Sequence, residues 1–240
     1  MSGESVDRLR NYIKALSHSA GGPHKMARPA ITISRESGAG ALNVATLIAQ
    51  ELDLECPGDP PACWAVLDRD LASKILEDHS LSKRIEEFMP EDSRFPLSET
   101  FEFMLGLHPR SGMLREYAKD TIRKLATNGN VILVGRGGAV ITAGLPNVLH
   151  VRLVAPFDFR VQNFARSHRI SEEKAVRVVR ATDAARRRYV RAYLNADVSD
   201  TLHYDLVLNT ASNGFKPVAR IICAAVVDLV PRGRAQKVAA

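Results

Sequence analysis

Short apolar runs alternate with longer amphipathic stretches along most of this 240-residue chain. Five runs have strand length and β-prone content: Pro29–Ile33, Trp64–Leu67, Val131–Val134, Val148–Val154 and Leu206–Leu208. Each is followed by a turn signal and then by a pattern with helical period. The helix from Ala41 to Leu52 places Val44, Leu47, Ile48 and Leu52 on one face. Further helices are predicted from about Leu71 to Glu77, from about Met113 to Ala126, and, after Ala155-Pro156 ends the fourth strand, through Ser167. Ser171 caps the next one, with Glu172 and Glu173 in its first turn, and that helix runs to about Leu194. Pro217 can start the last helix, which carries Val218, Ile221, Ile222, Ala225 and Val226. Val131–Val134 is apolar on both faces, as a strand inside a parallel sheet must be.

Strands separated by helices indicate a doubly wound parallel sheet covered on both faces, an α/β three-layer sandwich. Residues 1–28 read as an amphipathic helix over 5–18 and a Gly- and Pro-containing linker. The main domain is expected over 29–230, with a frayed tail at 231–240. Residues 80–115 hold Ser80 as a cap, a stop at Pro90, and Phe95, Phe101, Phe103 and Met104 among Pro and charge, so they read as a helical insertion.

The chain is basic, with formal net charge +6. Most of that charge is local. Eight arginines lie between Arg166 and Arg191, and with Lys174 against Glu172, Glu173 and Asp183 the stretch alone is net +6. Planar guanidinium forks suit phosphate, so a phosphorylated small molecule and a nucleic acid both fit, as does a solvated helix with no ligand. Only Tyr189 and Tyr193 are interleaved, which gives no evident stacking surface for single strands. The three cysteines, Cys56, Cys63 and Cys223, form neither a disulfide framework nor a zinc signature, and a reducing, cytoplasmic compartment is expected. No stretch is long and apolar enough to span a bilayer, and the first residues do not read as a signal peptide.

Three further groups can carry chemistry. Ile33-Ser34-Arg35-Glu36-Ser37 leads into Gly38-Ala39-Gly40-Ala41-Leu42-Asn43, a glycine turn between a strand and a helix. Such a turn offers amide N–H groups and a helix terminus to an anion, although glycines also serve turns for geometry alone. Gly135-Arg136-Gly137-Gly138 follows a core strand at the edge where open α/β sheets bind ligands. Arg136 can meet a phosphate there, or cap a helix or pair with an acid. Asp68-Arg69-Asp70 faces the same edge. Asp68 can accept from a base amino group or a hydroxyl, or help hold Mg2+, whereas Asp70 more naturally opens the following helix. The histidines show no metal-ligand spacing, and no Gly-x-Ser-x-Gly elbow is present.

In this order, ITISRESGAGALNVATLIAQEL, VLDRDLASKI, GNVILVGRGGAVI, PNVLHVRLVAPFDFRVQNF, ISEEKAVRVVRATDAARRRYVRAYL and YDLVLNT resemble the cytidylate kinase-like branch of the P-loop nucleoside monophosphate kinases over roughly residues 30–226. The resemblance implies a sheet order 2-3-1-4-5, a helical insertion and a mobile lid at about 180–195. It implies that ATP phosphates meet Gly38, Ala39, Gly40, Ala41, Leu42 and Asn43, and that Arg136 holds the acceptor monophosphate. Arg186, Arg187, Arg188 and Arg191 match the lid arginines that reach both phosphates. Asp183 matches a position that contacts the acceptor nucleoside, and Asp68 and Arg69 open the acceptor region. The implied reaction is ATP-dependent phosphoryl transfer to a nucleoside monophosphate such as CMP or dCMP. Its alternatives are a nucleotide-binding regulator without kinase activity and a basic nucleic-acid-binding domain. One departure stands out. The true cytidylate kinases have lysine followed by Gly-Thr where this chain has Ala41-Leu42-Asn43. Arg35 and Arg188 are the candidates to replace the missing ammonium, and Asn43 and Asp68 to contact Mg2+.

Overall fold

In the computed structural model, residues 28–55, 64–68, 112–135 and 137–229 are described. The elements are β1 (Ala30–Arg35), α1 (Ala41–Glu55), β2 (Ala65–Leu67), α2 (Gly112–Asn128), β3 (Val131–Val134), α3 (Gly138–Ile141), β4 (Val148–Val154), α4 (Phe157–His168), α5 (Glu172–Leu194), a 3-10 turn (Thr201–His203), β5 (Leu206–Asn209), α6 (Thr210–Asn213) and α7 (Phe215–Leu229). The expected helix over 5–18, the helices between Leu71 and Phe88, the insertion as far as 111 and the tail lie outside the described residues, as do Arg69 and Arg136.

All strand pairs are parallel, and the order is β2-β3-β1-β4-β5, as the resemblance implied. Consecutive strands run parallel because each is joined to the next by helical crossovers. β1 is two residues longer than its apolar run suggests. Ser34 and Arg35 stay in the ladder opposite Arg152 and Leu153 of β4. Ser171 caps α5 through its side-chain oxygen, which accepts from the Lys174 amide. α7 begins at Phe215, so Pro217 sits in the first turn, where no intrahelical N–H bond is lost.

The layers follow from strand alternation. Ile31 and Ile33 of β1, Ile132 of β3 and Leu149, Val151 and Leu153 of β4 join Val44 and Ile48 of α1 and Val218 and Ile222 of α7 in one buried cluster. α2 and α3 cover the opposite face. A smaller cluster, with Val161 and Ala165 from α4 and Ala175 from α5, fixes these two helices against each other. His150 of β4 is 3% exposed and belongs to the α3 side. Its Nε2 lies 3.0 Å from Thr142 Oγ1, and its backbone N–H donates to Asp205 Oδ2 at 2.8 Å. This polar chain ties the end of α3 to β4 and to the entry of β5. Among the described residues no helix is long and apolar enough to cross a membrane.

Candidate functional site

The loop between β1 and α1 is held from two sides. The Glu36 amide donates to the Leu153 carbonyl of β4, and the Ala39 amide closes a turn on the Glu36 carbonyl. Gly38 and Gly40 have φ of +84° and +77°, a backbone region that side chains disfavour. Space excludes a side chain as well. A Cβ on Gly38 would run into the Arg160 carbonyl, and one on Gly40 into the Phe215 ring. Asn163 Nδ2 of α4 donates to the Gly38 carbonyl at 2.7 Å. α1 then begins, and the first-turn amides of a helix have no intrahelical acceptors. Together with the helix dipole they form an anion-favouring end. Ala41, in place of the lysine, is buried in the core, and Leu42 packs against it. Asn43 is exposed.

The arginine helix reaches this loop through one carboxylate. Asp183 accepts from the Ser37 backbone N–H at 2.8 Å, from Arg160 Nη1 at 2.6 Å and from Arg186 Nη1 at 3.0 Å. Arg186 Nη1 also donates to the Arg35 carbonyl at 3.0 Å and faces Ser37 Oγ at 3.3 Å. Arg160 Nη1 donates to the Ser37 carbonyl at 3.1 Å, and its Nε donates to the Ala155 carbonyl and faces Glu36 Oε2 at 3.3 Å. Burial pushes the Arg186 pKa down; Asp183 opposes this, and the Arg152 and Arg160 charges push it further down. The guanidinium remains protonated, since arginine's ordinary value is far above neutrality.

The four arginines expected in a lid therefore separate. Arg186 is built into the loop, whereas Arg187, Arg188 and Arg191 are exposed and line an open cleft of about 500 Å³ with Asn195, Asp197 and Ser199. The Arg35 guanidinium lies where a Cβ on Gly135 would stand, so it covers the start of the Gly135–Gly138 turn. Gly137, at φ +71°, lies under Leu194 at the end of α5, where a Cβ would collide. Asp68 is half-buried just after β2. A second cleft, of about 280 Å³, opens between α4 and the start of α7 and is lined by Phe159, Gln162, Asn163, Arg166, Thr210 and Phe215. Phe159 and Phe215 meet edge to face at 6.4 Å there. Among the described residues no three His, Cys, Asp or Glu side chains converge as a metal site.

Sequence reading missed Glu36, Arg152, Arg160 and Asn163. Signals existed for two of them. Arg160 stands three residues after Phe157 and one before Val161, beside the apolar stripe of α4, and Arg152 is the one arginine in the interior strand β4, whose other polar residue is His150.

Residues 30–212 match the model of the cytidylate kinase-like family. The chain belongs to this family. A cytidylate kinase of Thermococcus kodakarensis is 33% identical over 172 residues, covering 70% of this chain and 84% of that one. A uronate isomerase of Corynebacterium glutamicum is 24% identical over 137 residues, 54% of this chain, which spans about a quarter (26%) of that protein's length. A crystal structure of an uncharacterized protein from Eubacterium ventriosum superposes with a TM-score of 0.58 at 17% identity, covering 84% of this chain and 99% of that one, and shares the fold. In this cytidylate kinase-like chain the loop after β1 and the arginine helix α5 are one hydrogen-bonded assembly, joined at Asp183.

Proposed function

We infer that this protein transfers the γ-phosphoryl group of ATP to a small phosphorylated acceptor, a nucleoside monophosphate with CMP or dCMP foremost. One observation carries the reading: the glycine loop at the carboxyl edge of the sheet is in direct contact with the arginine-rich helix, in a family of kinase-like proteins. Phosphoryl transfer needs positioning and charge neutralisation more than covalent chemistry, and these elements supply both. The first-turn amides of α1 would hold donor phosphates. The cleft between Phe159 and Phe215 would take the donor base, because its aromatic walls adjoin Gly40 through Phe215. Arg187, Arg188 and Arg191 would fold over phosphates, and Arg136 would hold the acceptor phosphate with Asp68 and Arg69 nearby. Arg35 would stand in for the lysine that Ala41 replaces; its guanidinium lies where a Cβ on Gly135 would be.

Mg2+ fits this donor set as an ion held by phosphates and water, with Asn43 or Asp68 adding an oxygen directly or through water. When bound, it would neutralise charge on the transferring group. This chain's own part is to bind and orient the two phosphates, and to exclude water as the lid closes. The protein would act in a reducing, cytoplasmic compartment.

The experiment is a panel of mono-phosphorylated acceptors, nucleotide and non-nucleotide, assayed for ADP release from Mg–ATP. Acceptor-dependent turnover, strongest with a pyrimidine monophosphate, is the expected result. Saturable ATP binding with no turnover on any acceptor overturns it in favour of a nucleotide-binding regulator. That second reading draws on Ala41 in the lysine position and on the Ser37 amide, which Asp183 already occupies. Salt-dependent binding of long oligonucleotides, with none of mononucleotides, would instead identify a nucleic-acid-binding domain.

A further inference from the structure

β4 carries a buried guanidinium, one of whose nitrogens the described fold leaves without a hydrogen bond. Arg152 lies two residues before the end of this strand, 9% exposed, between Ser34 on β1 and Val207 on β5. Its Nη1 is buried and has no hydrogen-bond partner among the described residues. Its guanidinium stands 5.5 Å from the centre of the Tyr204 ring, and the Tyr204 hydroxyl is engaged elsewhere, on Ser34 Oγ and the Val198 carbonyl. Among the described residues, none of the nearby acids is hydrogen-bonded to it. Glu36 faces Arg160, and Asp183 is shared by Arg160 and Arg186. Asp197 feels the Arg152 and Arg191 charges, but its carboxylate is bonded to the Ser199 hydroxyl and amide. The charge of Arg186 lies close enough to that of Arg152 for the two to repel.

A buried guanidinium N–H with no acceptor is costly, and a crowd of guanidinium groups beside it adds to that cost. An anion relieves both. Strand alternation says which anion. Leu153 and Val151 face α1 in the core cluster, so Arg152, like Ser34 opposite it, belongs to the other face of the sheet. Donor phosphates held by the first-turn amides of α1 would lie on the α1 side. A phosphate on the far side is a second one.

We propose that Arg152 anchors a phosphate subsite at the carboxyl end of β4, beside Arg186, and that this subsite, together with the Arg136 contact proposed above, takes the monophosphate of the acceptor. The identity of the ligand rests on the phosphotransferase reading above, while the subsite rests on Arg152 itself.

The test compares wild type with Arg152→Leu and Arg152→Lys. Calorimetry with CMP, cytidine and Mg–ATP measures affinity. Urea unfolding with and without inorganic phosphate and CMP measures ligand-linked stability. Without ligand, Arg152→Leu should be as stable as wild type or more so, because it removes a buried guanidinium with an unbonded nitrogen. CMP affinity should fall roughly 10- to 100-fold in Arg152→Leu, with partial recovery in Arg152→Lys. Cytidine and Mg–ATP affinities should stay within about threefold of wild type, because neither ligand would put a phosphate on Arg152. Phosphate and CMP should raise the unfolding midpoint of wild type but not of Arg152→Leu. A folded Arg152→Leu protein with wild-type CMP affinity and midpoint shifts overturns the subsite, as does a wild type that neither CMP nor inorganic phosphate stabilises. A loss confined to Mg–ATP overturns the acceptor assignment. Arg152-dependent CMP binding in a protein that turns over no acceptor would defeat the phosphotransferase reading and leave the subsite standing.

Discussion

Asp183 is the residue on which the loop and the arginine helix depend. Its carboxylate is mostly buried and holds two guanidinium groups and one backbone amide. Asp183→Ala would leave Arg160 and Arg186 buried without their shared acid, a loss expected to destabilise the fold by about 3–5 kcal/mol. Urea unfolding followed by circular dichroism measures this, and a loss under about 1 kcal/mol would show that solvent reaches the cluster. Asp197 makes a gentler case. The Ser199 hydroxyl, then the Ser199 amide, and more weakly Arg191 and Arg152 hold its pKa below the ordinary Asp value. A carboxylate depressed in the folded state favours folding above its unfolded pKa and loses that contribution as pH falls through the folded pKa. Ser199→Ala should raise the Asp197 midpoint toward the ordinary value in a carboxyl-carbon NMR titration; an unmoved midpoint removes the hydroxyl as the cause. Legibility at this scale was uneven. Asp183 was singled out through the family resemblance, but its bonds to Ser37 and Arg160 join residues 146 and 23 positions apart, which no local pattern encodes.

Elements were read more faithfully than contacts, because caps and periodicity are local. Ser171, with two glutamates behind it, marked the start of α5, and the apolar runs marked β3 and β4 to the residue. The misses have physical causes. β1 ends in Ser34 and Arg35, polar residues that a ladder tolerates at the ligand edge. α3 and α6 are four residues each, too short for a helical period to show. The joint between α3, β4 and β5 depends on another long-range group. Asp205 accepts from the His150 amide and approaches its ring at 3.4 Å. Asp205→Ala should cost about 1.5–3 kcal/mol, the range for a hydrogen bond to a charged acceptor, as measured by urea unfolding. A cost near zero would mean that water replaces the carboxylate.

For the whole molecule, alternation of strands and helices was enough to give a three-layer sandwich, but the strand order came from resemblance, since crossover rules leave several orders open. The site's assembly follows from that order: β1 and β4 are neighbours, so the loop after β1 and the helices after β4 emerge side by side. The segment Asp183–Arg191 spans both worlds, anchored at Asp183 and Arg186 and open at Arg187, Arg188 and Arg191. Hydrogen exchange across this segment should slow when ATP and acceptor bind together, because phosphates would tie down the open arginines. Unchanged exchange at saturating ligand would show that the helix does not act as a lid.

The two loop glycines are required by their neighbours as well as by their backbone angles. Gly38 has the Arg160 carbonyl against it, and Gly40 the Phe215 ring. A valine at either position therefore tests folding before it tests nucleotide binding. It also follows that a descendant of this chain that no longer handled nucleotides would still inherit both glycines, because the fold itself enforces them. Drift after such a loss would appear first at Asn43, Arg187, Arg188 and Arg191, whose exposed side chains the packing does not constrain.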